Sequence, residues 1–446
     1  MQRITPLIAG SESSESQAIG VMTPTSTFPS SVQPRSVANE AGTIEQSGAP
    51  RSVPVVLADF QRVSMSPLCP QDELKQIQIH FMTIAQSAKR GLTDERAQLE
   101  LFHAIQERMA RFGASAEHIA RRQVGVLNSE FVVRDPEATG SKKVHGDLRV
   151  PTGEPLDSRM SLFENTAFAV LEKIYDDANT PPDGIVHVTC SGYVSPSPVQ
   201  MYLSHRGWLG TAVTHSYHMG CYGAFPAIRT ALGLVGSSYS SLPTPQKRVD
   251  IVHTEFLSLH FDLLGETPDA FVTSTLFADG FIKYSAYPQA EFAKRGTRGL
   301  RVLAFEERIL PDSLPEMTLR PGPLQFDMSL SKKVPFLIRD SIADFVKSVS
   351  AQAGVDFERE KSQMVFAIHP GGPAILNQIR NRLGIEESQI ALSRKVLFEN
   401  GNMASATAPH IWEQIVASDD IPVGSKVISM AFGPGLTVIG ALFEKV

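Results

Sequence analysis

Three side chains of this 446-residue sequence sit in surroundings suited to covalent chemistry: Cys221 in MGCYGAFPAIR, His369 in IHPGGP and Asn402 in ENGNMASA. A cysteine in the first turn of a helix feels the positive end of the backbone dipole, which favours the nucleophilic thiolate. Gly220, Gly223 and Ala224 leave room beside the sulfur. Pro226 is tolerated in a first helical turn, where N–H groups lack intrahelical partners. His369 ends an apolar run before Pro-Gly-Gly, so its ring is expected on a loop rather than buried. Asn402 opens a helix, where asparagine is an ordinary cap. Together, histidine and asparagine N–H groups can also stabilise an oxyanion or enolate while a thiolate carries an acyl group.

Other readings of the same residues exist. A buried cysteine beside glycine is often mere packing. The chain order Cys, His, Asn suits a papain-like protease, although the flank of Cys221 lacks that family's CGSCW-like sequence. His215, His218 and Cys221 recur every third residue, a spacing that would suit zinc on a helix. Gly220 and Pro226 instead start the helix near the cysteine and leave both histidines on a preceding strand or turn. No metal is therefore expected.

The remaining chain must position these groups. A net charge of −6 gives no global attraction to nucleic acid, and no apolar run is long enough to span a membrane. Three cysteines without a CxxC pair suit a reducing, cytoplasmic setting, and the N-terminus lacks a signal core. Residues 1–52 are rich in Ser, Thr, Gln, Gly and Pro and read as a disordered tail. Strands are expected at Val53–Phe60, Ile185–Cys190, Lys247–Phe256 and Met364–Gly372, with one closing strand over Ser425–Val438. Helical periodicity covers Asp72–Ala110, Arg159–Ala178, Leu337–Ala353 and Ala374–Leu383, and a further helix follows Asn402. A long loop is expected over Asn128–Asp157, and a hairpin-like pair over Phe271–Tyr287, broken at Asp279-Gly280. PDSLPEMTLRPGP reads as turns. Alternating helices and continuously apolar strands predict an α/β fold with strands buried on both faces. GIVHVTCSG and QMVFAIHPGG echo each other, which would set Cys190 and His369 at comparable places in two halves.

MGCYGAFPAIR, IHPGGPAIL and VLFENGNMASA resemble the cysteine, histidine and asparagine motifs of type III polyketide synthases, the chalcone-synthase-like branch of the thiolase superfamily. ILPDS, TLFADG and FGPGLTV add to the resemblance in the family's order, and together the matches cover Val53 to the C-terminus. The resemblance implies a five-layered αβαβα thiolase fold of two similar halves, 53–290 and 291–446, usually as a homodimer. It implies an acyltransferase in which Cys221 accepts an acyl starter from a thioester, its thiolate paired with a His369 imidazolium. His369 and Asn402 would stabilise the enolate formed as a malonyl-type extender loses CO2, a decarboxylative Claisen condensation. The products would be pyrone or resorcinol polyketides. A ketosynthase coupling two carrier-bound acyl or β-ketoacyl chains, and a non-catalytic partner subunit, are the alternatives. Substrates would be acyl-CoA or acyl-carrier-protein thioesters, with no tightly bound cofactor.

By the same resemblance Phe277 and Phe326 stand at the mouth between carrier tunnel and cavity, with Met317 on the cavity wall. Arg111, Arg121 and Arg122 are the candidates for a CoA phosphate or the acidic face of a carrier protein. The sequence departs from the plant pattern at His218 and Met219, at Leu257 and His260, and at Ala404, and these departures suit a fatty or β-ketoacyl chain.

Overall fold

The computed structural model describes residues 53–127, 153–236 and 246–446. The tail expected over 1–52 and most of the loop expected from Asn128 lie outside the described residues.

Strands are numbered in chain order. β1 (Val55–Val63), β4 (Gly184–Thr189), β5 (Ala212–Tyr217), β6 (Val249–Glu255) and β7 (Gly280–Pro288) come from the first part of the chain. β8 (Leu300–Ile309), β11 (Val365–Ile368), β12 (Lys426–Gly433) and β13 (Thr437–Lys445) come from the second. Together they form one sheet in the order β11-β12-β13-β8-β1-β7-β6-β4-β5. Its two arms repeat each other outward from the short antiparallel junction of β1 with β8. On one side β7 is antiparallel to β1 and to β6, and β4 is parallel to β6. On the other β13 is antiparallel to β8 and to β12, and β11 is parallel to β12. β4 and β11 thus hold equivalent positions, and the residues just beyond them, Cys190 and His369, are counterparts. Two small hairpins complete the strands, β2 (Leu68–Pro70) with β3 (Arg121–Gln123) and β9 (Met317–Pro321) with β10 (Phe326–Leu330).

The helices follow from their caps and apolar faces. α1 (Gln71–Arg90) ends at Gly91, whose φ of 64° is the left-handed cap conformation, and α2 (Glu95–Phe112) starts on the Asp94 side chain. α3 (Leu156–Tyr175), α4 (Pro198–Arg206), α5 (Ala224–Gly236) and α6 (Pro268–Leu276) follow. The second half adds α7 (Val334–Gln352), α8 (Pro373–Leu383), α9 (Ala391–Asn400) and α10 (Thr407–Ala417).

Alternation along the strands sorts the core into layers. Val186, Val249 and Ile282 of one arm and Val427, Ile439 and Phe443 of the other pack on Phe225 and Ile228 of α5 and Trp412 of α10. Ile185 and Val252 face the other way, onto Phe163 and Val170 of α3 and Leu74 of α1. Phe366, Ile428 and Leu442 face Ile342 and Phe345 of α7 and Ile379 of α8. Helix, sheet, helix, sheet, helix is the five-layered arrangement of the thiolase fold.

Three local expectations change. Residues 268–276 are helix α6 rather than a strand, because the Thr267 side chain caps Ala270 N and Pro268 occupies the first turn. The turn-rich stretch from Met317 pairs with Phe326–Leu330 as the β9–β10 hairpin. The single closing strand is a hairpin, β12 and β13, reversed at Pro434-Gly435.

Candidate active site

Cys221 sits in a 3-10 turn, Gly220–Tyr222, between the end of β5 and the start of α5. The turn needs its glycine. Gly220 has φ 70°, and a Cβ there would lie 2.5 Å from Cδ of Pro434 in the turn of the closing hairpin. His215 lies on β5 and His218 in the turn after it, where the sequence placed them.

His369 follows β11, with its N–H donated to Met430 O at 2.8 Å. The sequence expectation of a ring presented outward fails. The residue is 1% exposed, because α8 folds back over the loop, and neither ring nitrogen has a hydrogen-bond partner among the described residues. Asn402 is fixed through its backbone, donating to Leu276 O and accepting from Ala278 N, each at 2.9 Å. Its side-chain oxygen accepts Ala404 N–H at 2.9 Å, which assigns the carboxamide and turns the NH2 group to the Cys221 sulfur. Asn402 is therefore not the helix cap expected from sequence, since Met403 and Ala406 hold the cap positions of the two turns that follow.

All three residues line one small cavity of about 20 Å³, together with Phe277, Met317 and Phe432. Such a space holds about one water molecule. Burial, reinforced by the charge of Glu255, pushes the Cys221 thiol up to about 12, while the Asn402 bond opposes the rise. Burial alone pulls His369 down to about 3. Taken one at a time, burial disfavours the charge on each group, so the expected thiolate–imidazolium pair needs both charges to form together as the S–H proton passes to the ring.

A cleft of about 360 Å³ reaches the same sulfur from outside. Phe277, Met317 and Met328 line both spaces, and Leu257, Phe261 and Phe326 line the cleft. Phe326 stacks on His260 at 4.4 Å and meets His218 edge-on at 4.9 Å. His260 Nε2–H donates to Ser191 O at 2.9 Å, and its Nδ1 accepts Phe326 N–H at 3.1 Å. Two positions that depart from the plant pattern, His218 and His260, therefore grip one mouth residue.

Residues 302–446 match the family described as chalcone and stilbene synthases, C-terminal domain. Type III polyketide synthase A of Arabidopsis thaliana is 28% identical over 339 residues, covering 72% of this chain and 79% of its own. The chain is similar to chalcone-synthase-like type III polyketide synthases and carries their C-terminal domain over residues 302–446. PKS-I of the brown alga Ectocarpus siliculosus superposes with a TM-score of 0.72 at 20% identity, over 90% of this chain and all of that one. The C-terminal type III domain of a Dictyostelium type I/III hybrid superposes at 0.65 and 23% identity, over 88% and 99% of the two chains. These superpositions carry the thiolase fold.

The arginine cluster divides. Arg122 is fully buried and is withdrawn from the phosphate candidates. Its guanidinium donates to Gln71 Oε1 at 2.7 Å, Ser274 O at 3.0 Å and Phe277 O at 2.5 Å, tying α1 and α6 to the site. Arg121 is exposed, 3.9 Å from Glu399, and Arg111 lies over the Phe112 ring. Sequence reasoning passed over Glu255, Ser405 and His253, three buried polar residues that meet beside Cys221. The signal for His253 and Glu255 was HTE at the end of a buried strand, and Ser405 carried none.

Proposed function

We propose that the protein condenses a fatty or β-ketoacyl thioester starter with malonyl-type extender units, with Cys221 as nucleophile and His369 and Asn402 as enolate-stabilising donors. The observation that carries this reading is the shared cavity: the sulfur, an imidazole with no other partner and an amide NH2 face the same small space. In the reaction the Cys221 proton moves to His369 as the sulfur attacks the starter carbonyl, and the starter's carrier leaves as a thiol. The extender's thioester oxygen then accepts hydrogen bonds from His369 and Asn402 as CO2 departs, when negative charge develops there. The resulting carbanion attacks the Cys221 thioester and frees the thiolate.

The apolar part of the cleft wall supports the starter class. Leu257, Phe261, Met317, Leu319 and Met328 surround a cleft that suits an alkyl chain, and a pyrone or resorcinol is the product class of such a starter after extension. Coenzyme A is the carrier, its phosphates meeting Arg111 and Arg121. The two arms of the sheet correspond to halves 53–290 and 291–446. The protein works as a homodimer, for which β5, at the edge of the sheet among the described residues, offers an unpaired backbone. Among the described residues no helix is long and apolar enough to cross a membrane.

The deciding experiment offers a panel of acyl-CoA starters with malonyl-CoA and identifies products by mass spectrometry. Pyrones or resorcinols from medium or long acyl chains support the reading. Product formation from two β-ketoacyl carriers without malonyl-CoA would replace it with chain coupling, and no Cys221 acyl adduct from any thioester would remove the enzyme reading.

A further inference from the structure

Behind the cavity wall, strand β6 places His253 and Glu255 on one face, two residues apart, and the condensation outlined above uses neither. Both are 0% exposed. Glu255 Oε1 accepts the hydroxyl hydrogen of Ser405, while Oε2 accepts Cys190 N–H at 2.9 Å and Ser191 Oγ–H at 3.3 Å. Ser405 has thereby used its one hydrogen, so its oxygen receives the 3.0 Å contact from His253 Nδ1–H. The opposite ring nitrogen, Nε2, is then bare and accepts Tyr284 Oη–H at 3.3 Å. Tyr284 stacks on the imidazole at 5.6 Å, which fixes the ring plane.

We propose that Tyr284, His253 and Ser405 form a buried donor chain that lets Glu255 ionise beside Cys221, and that this carboxylate sets the pH at which the Cys221 thiol becomes reactive. In this scheme His253 and Glu255 are positioning residues, since neither lines the cavity or the cleft. The inference rests on Cys221 being the nucleophile.

The chain has a direction. Every hydrogen points toward Glu255, which stabilises a carboxylate where water is excluded. Burial still raises Glu255 to about 7, against the opposing bonds from Ser405 and Cys190. The charge of Glu255 in turn raises both nearby thiols, Cys221 and Cys190. The other groups facing His253 are His410 of α10 and His187 of β4, and burial with their influence keeps His253 neutral. The Ser405 link also crosses between the two halves, joining β6 to the loop that carries Asn402.

The test measures iodoacetamide alkylation of Cys221 in the full chain from pH 6 to 10, resolved from Cys69 and Cys190 by peptide mass spectrometry. The wild-type profile is expected to show a shoulder near neutrality, where Glu255 ionises and slows the rise of thiolate. Glu255→Gln removes the shoulder and alkylates at least about 10-fold faster above it, one unit of thiol pKa. His253→Phe, which keeps the stack but loses the donor, moves the shoulder to higher pH. His253→Gln, which can still donate to Ser405, restores it. A Glu255→Gln profile superimposed on the wild type overturns the inference, as does a His253→Phe profile unchanged in a protein with wild-type circular dichroism. Absence of Cys221 alkylation in every form, with Cys69 labelled, overturns the nucleophile assignment itself.

Discussion

The side-chain oxygen of Asn402 is held by the backbone N–H of Ala404 at 2.9 Å, so only the NH2 end of the amide faces the sulfur of Cys221. Ala404 adopts a φ of 45°, unusual for a residue with a Cβ, and its left-handed turn aims that N–H back at Asn402.

Asn402→Ala is therefore expected to spare acylation of Cys221 and to slow decarboxylation of the extender by about 10²–10³-fold, the usual loss for one oxyanion donor. Rapid-quench mass spectrometry of the acyl-enzyme, alongside CO2 release from labelled malonyl-CoA, separates the two steps. An equal fall in both would reduce the residue to a structural role.

His260→Thr removes the ring stacked on Phe326 and the acceptor for its N–H. The mouth residue then loses one of its two clamps. Starter selectivity, read as kcat/KM across acyl chains of increasing length, should broaden by about 10-fold, on the order of one lost aromatic contact and hydrogen bond. Unchanged ratios would show that Phe326 is held by the β9–β10 hairpin alone.

Arg122→Ala leaves Gln71 and two backbone carbonyls without their buried donor. A loss of about 3 kcal/mol in unfolding free energy is expected, with KM for the thioester unchanged in the remaining folded protein. Arg121→Ala should do the reverse, costing little stability and raising KM. Urea unfolding and steady-state kinetics on both variants decide it.

Acid should destabilise the protein before its exposed carboxylates protonate. Burial holds His187 and His369 down at about 3, and His260 and His410 at about 4. A base whose folded pKa is depressed contributes stability above its unfolded value near 6.5 and loses it as pH falls toward the folded one. Each of these histidines then removes up to about 1.4 kcal/mol per pH unit below that point. Urea midpoints at pH 7, 6 and 5 should fall steeply, and a flat series would mean that these rings reach water.

The parts of this structure readable from sequence are those where one local signal dominates. Continuous apolar runs marked β4, β6 and β11, and the echo between GIVHVTCSG and QMVFAIHPGG corresponds to equivalent strands of the sheet. Residues 271–276 misled because Phe, Val and Thr favour strands, whereas the cap at Thr267 and the packing of Phe271 onto the core favour a helix. Arg122 and His369 misled in a different way. A guanidinium beside another arginine reads as surface until α1 and α6, distant in sequence, close over it, and a histidine before Pro-Gly-Gly reads as exposed until the helix that follows folds back over it. The donor chain behind Cys221 is less legible still, because His253, Tyr284 and Ser405 come from three separate elements.

Strand β1 opens the described chain yet pairs with β7 and β8, Val55 opposite Pro288 and Val56 opposite Arg301. Its partners lie roughly 230 residues further along, a separation that makes closure of the sheet a late and slow event in folding. During synthesis the apolar segment of β1 waits, unpaired, until nearly two-thirds of the polypeptide has emerged. The junction that joins the two arms of the finished enzyme is thus also the point at which a nascent chain is most exposed to aggregation.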